Sequence, residues 1–493
     1  MISPPRIRMM HTMYAAASVY VLFGIPAPVG AFTCKSVGSI QHHNRHDGLR
    51  PLRGVVSRPS VGSRRNHAPV HVLVASSSSR TEEQEQEEKE EVGISELNQP
   101  KFLADLDQSS RQMLDELTIT TSSQSQQCSI QWKFQGHDIN CRVNRPGSGV
   151  GVVDNGVVDT NYPTTSSSST KPVIVLVHGF GCSLVYWRET VQSLTRAGYT
   201  VYSMDLLGHG RSAKPTENVT YSTKLWARQL DDFCRDNLSS RDEEEDNIVL
   251  IGNSMGSIIA LHAATGEFAS ESSSSSSSPA AAAGRGRPPR PYIREHIAGI
   301  GMFNCGIGMN IHSITRDEKW NPLQRYVLDA IFTFLESTVF GNVALMEWIL
   351  DKVVTRNFLR KTLLQLYQNA ANPEDKVDNE LVESLYEPAK DPNSARVLSQ
   401  ILTNEAGMTP MEVHAKYGPF LDDLPIHVVW GAADTVTPVD GIGEVGQLYS
   451  ALSAADDNKV TMDLVQAGHI AFDEAPDVAN GSMLGWLSSL VPA

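Results

Sequence analysis

The stretch Ile248-Val249-Leu250-Ile251-Gly252-Asn253-Ser254-Met255-Gly256 decides how this chain folds. Its four leading apolar residues read as a buried strand. The pentapeptide Gly252 to Gly256 has the GxSxG form of a turn that leaves a strand sharply, enters a helix and holds the serine at its tip. The glycines two residues either side of Ser254 sit where the turn brings backbones together and a Cβ would clash. A serine in such a turn is strained and needs surroundings that keep it there.

Three further signals follow the chain order expected around such a turn. Val173 to Val177 is a continuous apolar strand running into His178-Gly179-Phe180-Gly181. Ile426 to Trp430 leads into Gly431-Ala432-Ala433-Asp434, which puts an acid just past a strand end. Val460 to Val465 alternates apolar and polar residues, and Gly468-His469 follows it. Serine, acid and histidine each stand at the carboxyl end of a strand, where open α/β sheets place their sites. The pattern resembles the α/β hydrolases. It implies the α/β class and the α/β-hydrolase fold: a mostly parallel, doubly wound sheet with a helical lid inserted before the strand carrying the acid. It also implies Ser254, Asp434 and His469 as catalytic residues, with the amides of Phe180 and Met255 as oxyanion hole.

The chemistry asks for these residue types. A serine hydroxyl is a poor nucleophile until a neutral imidazole takes its proton, and His469 does this only if a carboxylate fixes its tautomer. Epoxide hydrolases and haloalkane dehalogenases of this fold attack with an aspartate, so serine at position 254 points to an acyl-enzyme instead. On spacing alone Asp434 is also readable as a turn residue, with Asp440 and Asp423 as rivals, and His469 as an ordinary loop histidine. Asp205 to Ser212, after the strand Val201 to Met204, reads as a glycine-rich loop closing over the sheet. His209 reads as structural, and His178 as shaping the oxyanion loop. Cys182 and Cys305 are readable as lining the site, and better as buried thiols behaving as small hydrophobes.

Much of the 493-residue chain lies outside this core. Residues 13–25 are apolar, preceded by Arg6 and Arg8, followed by Pro26 and Pro28 and then by Val29-Gly30-Ala31. Residues 1–31 therefore read as a signal peptide, with a signal anchor as the alternative. Residues 32–80 carry eight Lys or Arg against the single acid Asp47 among many serines, the composition of a transit peptide. Together they resemble a two-part presequence for plastid (chloroplast) import; an ordinary secreted protein is the alternative. Residues 81–126 read as an acidic, largely disordered linker, with seven Glu and one Lys between positions 82 and 91. The hydrolase domain then spans 127–493, interrupted by a low-complexity surface loop over 267–291 and a helical lid over 307–420.

Residues 1–80 hold ten basic side chains and one acidic one, so without them the net charge of −15 becomes −24. Such a surface excludes nucleic acid as a partner. The six cysteines show no CxxC and no clustered histidines, so neither a zinc site nor a disulfide framework is indicated. Cys128 and Cys141 flank a hairpin-like alternation, and cross-strand proximity makes a disulfide there conceivable. In the lid, Tyr326, Val327, Ala330, Ile331, Phe334 and Leu335 recur at helical spacing, and Val343, Met346, Trp348, Ile349 and Leu350 continue the apolar content. Most of them read as packing the lid onto the body, a few as contacts for a long acyl or alkyl group.

HGFGCSLVYWRETVQSL, MDLLGHGRSAKP, IVLIGNSMGS, MFNCGIGMN, QILTNEAGMTP, VVWGAADTVTPVDG and AGHIAFDEAPDVAN together resemble the plastid α/β hydrolases that include chlorophyll dephytylase and, more distantly, pheophytinase. The similarity covers about residues 172–490. It implies hydrolysis of the phytyl ester of chlorophyll or a metal-free derivative, without cofactor, on a hydrophobic small-molecule ester and with transient thylakoid membrane contact. The chain departs from some relatives at Ser257, where glycine is common, and in the insertion at 272–289. Two other readings stand beside this one: a plastid lipase or esterase for acyl lipids or other hydrophobic esters, and a non-catalytic binding protein of the same fold, which would have lost one of Ser254, Asp434 and His469.

Overall fold

The computed structural model describes residues 126–147, 171–238, 247–269, 290–309, 311–316, 320–405, 407–441, 443–455 and 459–491, and within them the apolar runs become strands. The signal peptide, the transit-like segment, nearly all of the acidic linker and residues 270–289 of the low-complexity loop lie outside the described residues. Eight strands form one sheet: β1 (Gln126–Phe134), β2 (His137–Arg145), β3 (Val173–Val177), β4 (Val201–Met204), β5 (Ile248–Ser254), β6 (Ile297–Cys305), β7 (Ile426–Gly431) and β8 (Val460–Val465). Their spatial order is β1-β2-β4-β3-β5-β6-β7-β8, antiparallel as far as β4 and parallel from there on.

The first two strands are the expected hairpin. Gln135 and Gly136 both have positive φ (50° and 85°), the two-residue turn whose twist matches its strands. The disulfide does not form: Cys128 and Cys141 are both free thiols. Cys128 pairs with Val143 and Cys141 with Ile130, so the cysteines are diagonal neighbours, about 7–8 Å apart in such a ladder and beyond disulfide reach.

Strands buried on both faces favour apolar residues throughout, which is why β3 and the first four residues of β5 read as unbroken runs, while β7 accommodates a buried His427 by bonding its ring to Thr461 and Ser482. Alternation then deals side chains to two cores. Val175, Val177, Leu250, Met302 and Val428 face one layer. Ile174, Leu176, Val249, Ile251, Phe303 and Val429 face the other, where Trp187, Phe472 and Trp486 fill the space. The covering helices are α1 (Arg188–Arg196), α2 (Thr223–Leu238), α3 (Met255–Thr265) and α4 (Tyr292–His296). Phe268 is buried on a 3-10 turn over Glu267–Ala269, so the start of the expected surface loop belongs to the body.

Between β6 and β7 the chain is helical, as expected: α5 (Pro322–Leu335), α6 (Val343–Trp348), α7 (Arg356–Leu366), α8 (Pro373–Lys376), α9 (Asn379–Ala389), α10 (Ser394–Thr403) and α11 (Pro410–Leu421). After β7 come α12 (Val445–Ser453), α13 (Ala471–Glu474) and α14 (Pro476–Ser489). A capping box at Asn321 and Gln324, with Pro322 at the first helical position, starts α5. Its apolar stripe corrects the sequence reading. Leu328 and Phe332 are the buried side chains of α5, whereas Tyr326, Val327, Ile331 and Phe334 are exposed. Most of the stripe faces away from the body because the inward positions are already taken by Leu328 and Phe332.

Candidate active site

Ser254 ends β5 with φ 53° and ψ −120°, outside the regions open to an ordinary residue. Holding a non-glycine residue there costs roughly 1–3 kcal/mol, so the surroundings must enforce it. They do so by pairing and close packing. The β5–β6 ladder runs out to Ser254 opposite Cys305, and the Gly306 amide donates to the Ser254 carbonyl at 3.1 Å. A Cβ on Gly252 would come within 2.5 Å of the Gly256 backbone, and one on Gly256 within 2.1 Å of the Val177 carbonyl oxygen. Both glycines of the pentapeptide are therefore required sterically.

The loop after β3 lies against the serine: a Cβ on Gly179 would stand 3.3 Å from Ser254 Cβ. Its neighbour Phe180 is half-buried. Met255 is the first residue of α3, so its amide has no acceptor within the helix and points, with the positive end of the dipole, at the serine end. His178 holds this loop. Its Nε2 accepts from the Leu206 amide at 3.0 Å and its Nδ1 donates to the Gly179 carbonyl at 2.8 Å, while burial keeps the ring neutral by pushing its pKa down. His209 is also buried, its pKa pushed down to about 3 by desolvation, and it packs edge-on against Phe180 and Trp226.

Asp434 lies just past β7, and His469 follows β8. Asp434 Oδ2 accepts from His469 Nδ1 at 2.8 Å, from Asn304 Nδ2 at 2.7 Å and from Thr437 Oγ1 at 2.8 Å. Its Oδ1 accepts from the amides of Val436 at 2.7 Å and Thr437 at 3.0 Å. Burial pushes the Asp434 carboxyl up, but the His469 ring and the hydrogen bonds from His469, Thr437 and Asn304 pull harder and leave it below the usual carboxylate value. The rivals Asp440 and Asp423 are both exposed, and the carboxylate on His469 is that of Asp434.

His469 is itself buried, at 7% exposure. The Gly468 amide donates to Glu474 Oε2 at 2.9 Å, and Asn253 Nδ2 reaches the His469 carbonyl at 3.4 Å and the Phe303 carbonyl at 3.1 Å. The residue preceding Ser254 is thereby tied to the main chain of His469, and Ser254, Asp434 and His469 come to one edge of the sheet. Cys305 is fully buried with its thiol pushed up by desolvation, and burial pushes Cys182 up to about 12, so neither offers a thiolate at neutral pH.

Asn253, Asn304, Thr437 and Glu474 were not singled out from the sequence. Thr437 had a local signal, because an Asp followed three residues on by Thr is the pattern of a turn that wraps a carboxylate. Asn304 had none: it lies 130 residues from Asp434 and takes a left-handed φ of 46° at the end of β6.

The helical insert meets this edge from two directions. Phe180 packs on its core of Ile314, Leu328, Phe332, Phe340, Met346, Ala395 and Leu402. Asn369 lies against Gly468, with Nδ2 3.0 Å from where a Cβ would be. Two surface clefts, of about 370 Å³ beside Arg188 and about 530 Å³ beside Gly266, are not lined by Ser254, Asp434 or His469.

The model of the family described as "Alpha/beta hydrolase family" matches residues 174–480, more than half of the chain. Protein ABHD8 of Homo sapiens is 32% identical over 101 residues, which are 20% of this chain and only 22% of that protein's length. The 2-hydroxy-6-oxo-6-(2'-aminophenyl)hexa-2,4-dienoic acid hydrolase of Metapseudomonas resinovorans is 24% identical over 350 residues, 68% of this chain and 90% of that enzyme. Among solved structures, the bromoperoxidase from Bacillus anthracis matches with a TM-score of 0.45 at 16% identity, covering 73% of this chain and 100% of that one.

Proposed function

The chain belongs to the alpha/beta hydrolase family, a hydrolase by family and fold, and from that premise we propose that it cleaves a hydrophobic carboxylic ester through an acyl-enzyme on Ser254. The observation that carries this reading is the backbone of Ser254, held at φ 53° and ψ −120° where an ordinary residue would relax. Ser254 Oγ attacks the ester carbonyl as His469 Nε2 takes its proton. Asp434 keeps the Nδ1 proton in place and stabilises the imidazolium. The amides of Phe180 and Met255 receive the oxyanion. His469 then returns the proton to the departing alcohol, and water, activated by the same ring, releases the acid.

We assign the alcohol to phytol, so that the activity is dephytylation of chlorophyll or pheophytin in chlorophyll catabolism. Support comes from the motif resemblance, from the basic, acid-poor composition of residues 32–80 that suits plastid import, and from an apolar helical insert acting as lid. One observation favours acyl lipids as a second reading: the insert turns an apolar face outward. A non-catalytic role is disfavoured because Ser254, Asp434 and His469 are all present. The test is incubation of the protein with chlorophyll a, pheophytin a and a galactolipid in turn, with products identified by mass spectrometry. Free phytol from either pigment supports the assignment, and fatty acid from the galactolipid alone replaces it with the lipase reading.

A further inference from the structure

Leu323, Tyr326, Val327, Ile331, Phe334 and Trp348 account for most of the large apolar side chains exposed among the described residues, and all of them lie on α5 and α6. Leu323 and Tyr326 are 72% and 73% exposed, values of side chains standing free of the body. At about 100° per residue, Leu323, Val327, Ala330, Ile331 and Phe334 follow the i, i+4, i+7, i+8, i+11 pattern of one face. With Tyr326 at its edge that face spans about 140° of the helix and contains no charge. The charged residues Arg325, Asp329 and Glu336 gather on the other side, next to the buried Phe332. Side chains of this size in a continuous exposed face mark an interaction surface.

We infer that the outer face of α5, together with Trp348 of α6, docks on the surface of a bilayer of uncharged lipids and lies in its plane. Three observations choose this occupant. Pro322–Phe340 and Val343–Val353 together have the length and apolar content of a membrane span, yet they meet at a bend of 68°, and no single described helix is long and apolar enough to cross. Such a pair suits the interface, where apolar faces sink to the headgroup boundary. Tyr326, Phe334 and Trp348 supply the aromatic rings that settle at that depth. The third observation is charge. The chain beyond residue 80 carries −24, and the face has no basic cluster, so an anionic surface repels the protein and a neutral one does not. The inner side of the same helix packs in the cluster that Phe180 joins, so the helix that carries the docking face is packed against the loop after β3.

Docking goes beyond the esterase reading and stands without it, because vesicle binding is read apart from hydrolysis. Residues 81–493, which hold every described element and the −24 charge used above but lack the apolar and basic leader, are floated with phosphatidylcholine vesicles, alongside the triple variant Leu323→Gln, Val327→Gln, Phe334→Gln, whose changes lie on exposed positions. The parent is expected to float, the variant to lose at least tenfold in partitioning, and both to hydrolyse a short water-soluble ester equally without vesicles. Adding phosphatidylglycerol is expected to weaken binding. A parent that stays at the bottom of the gradient, a variant that floats equally well, or binding strengthened by phosphatidylglycerol overturns the proposal. So does a parent that sediments as a dimer which the variant splits, since a second copy would then cover the face.

Discussion

Asp434 is buried and fully partnered by the protein: His469, Asn304, Thr437 and two backbone amides supply five donors to one carboxylate. A carboxylate so surrounded stays ionised at neutral pH and holds the Nδ1 proton of His469 in place. Replacing Asp434 by Asn favours the wrong tautomer and is expected to lower kcat about ten-thousand-fold, whereas Asp440→Asn leaves the rate within about twofold. The reverse ranking in steady-state assays would move the acid to Asp440. Asn304→Ala removes one donor to a charged, buried acceptor, a loss of about 1.5–3 kcal/mol, and is expected to lower kcat by roughly ten- to a hundredfold with KM little changed. At this scale the sequence was legible wherever a residue announced itself by position, as Ser254, Asp434 and His469 did at their strand ends. Asn304 was not, because its partner is fixed by the β6–β7 pairing and not by anything near it in the chain.

Elements are tied together beside the site by Arg188 of α1. Its guanidinium donates to Asp473 Oδ1 at 3.2 Å and Oδ2 at 3.0 Å on α13, to Asp378 Oδ2 at 2.6 Å and to the Lys376 carbonyl at 2.5 Å, while Tyr367 of the insert donates to Asp473 at 2.8 Å. Asp473 has no exposed side-chain surface, so Arg188→Ala leaves a buried carboxylate short of its cation. The expected cost is about 3–5 kcal/mol in chemical denaturation. Arg188→Lys recovers little, since an ammonium cannot span both carboxylate oxygens. A loss below 1 kcal/mol for the alanine variant would contradict the clamp. The same insert shows what a periodic pattern leaves unsaid. Spacing fixed that Tyr326, Val327, Ile331 and Phe334 share one face of α5, but a 3.6-residue period is the same whether the face turns to the body or away. Only the packing of Leu328 and Phe332 decided the direction.

Across the whole molecule, acid should unfold the protein earlier than its carboxylates alone would require. His178, His209, His262 and His427 all have pKa values pushed down by burial, His209 to about 3, and desolvation brings His414 to about 4. In the unfolded chain these rings take up a proton near pH 6.5 that the folded chain refuses, so stability is full above that value and falls as pH drops towards the folded values. Each ring contributes up to about 1.4 kcal/mol per pH unit within that window. The melting temperature is expected to fall between pH 7.5 and 5.5, and less so in His209→Gln; a flat profile would show that the rings are hydrated. The chain order of strands and motifs made the mostly parallel sheet legible, because strands such as β3 that are buried on both faces leave continuous apolar runs; the strand order β1-β2-β4-β3-β5-β6-β7-β8 was not, because it is set by pairings between distant segments. The central claim, a serine made nucleophilic by His469 and Asp434, is tested most directly by covalent trapping. A fluorophosphonate added to the full chain is expected to give a single adduct mapped to Ser254, absent in Ser254→Ala and slowed by orders of magnitude in His469→Ala. An unlabelled parent protein, or an adduct at another residue, would contradict it.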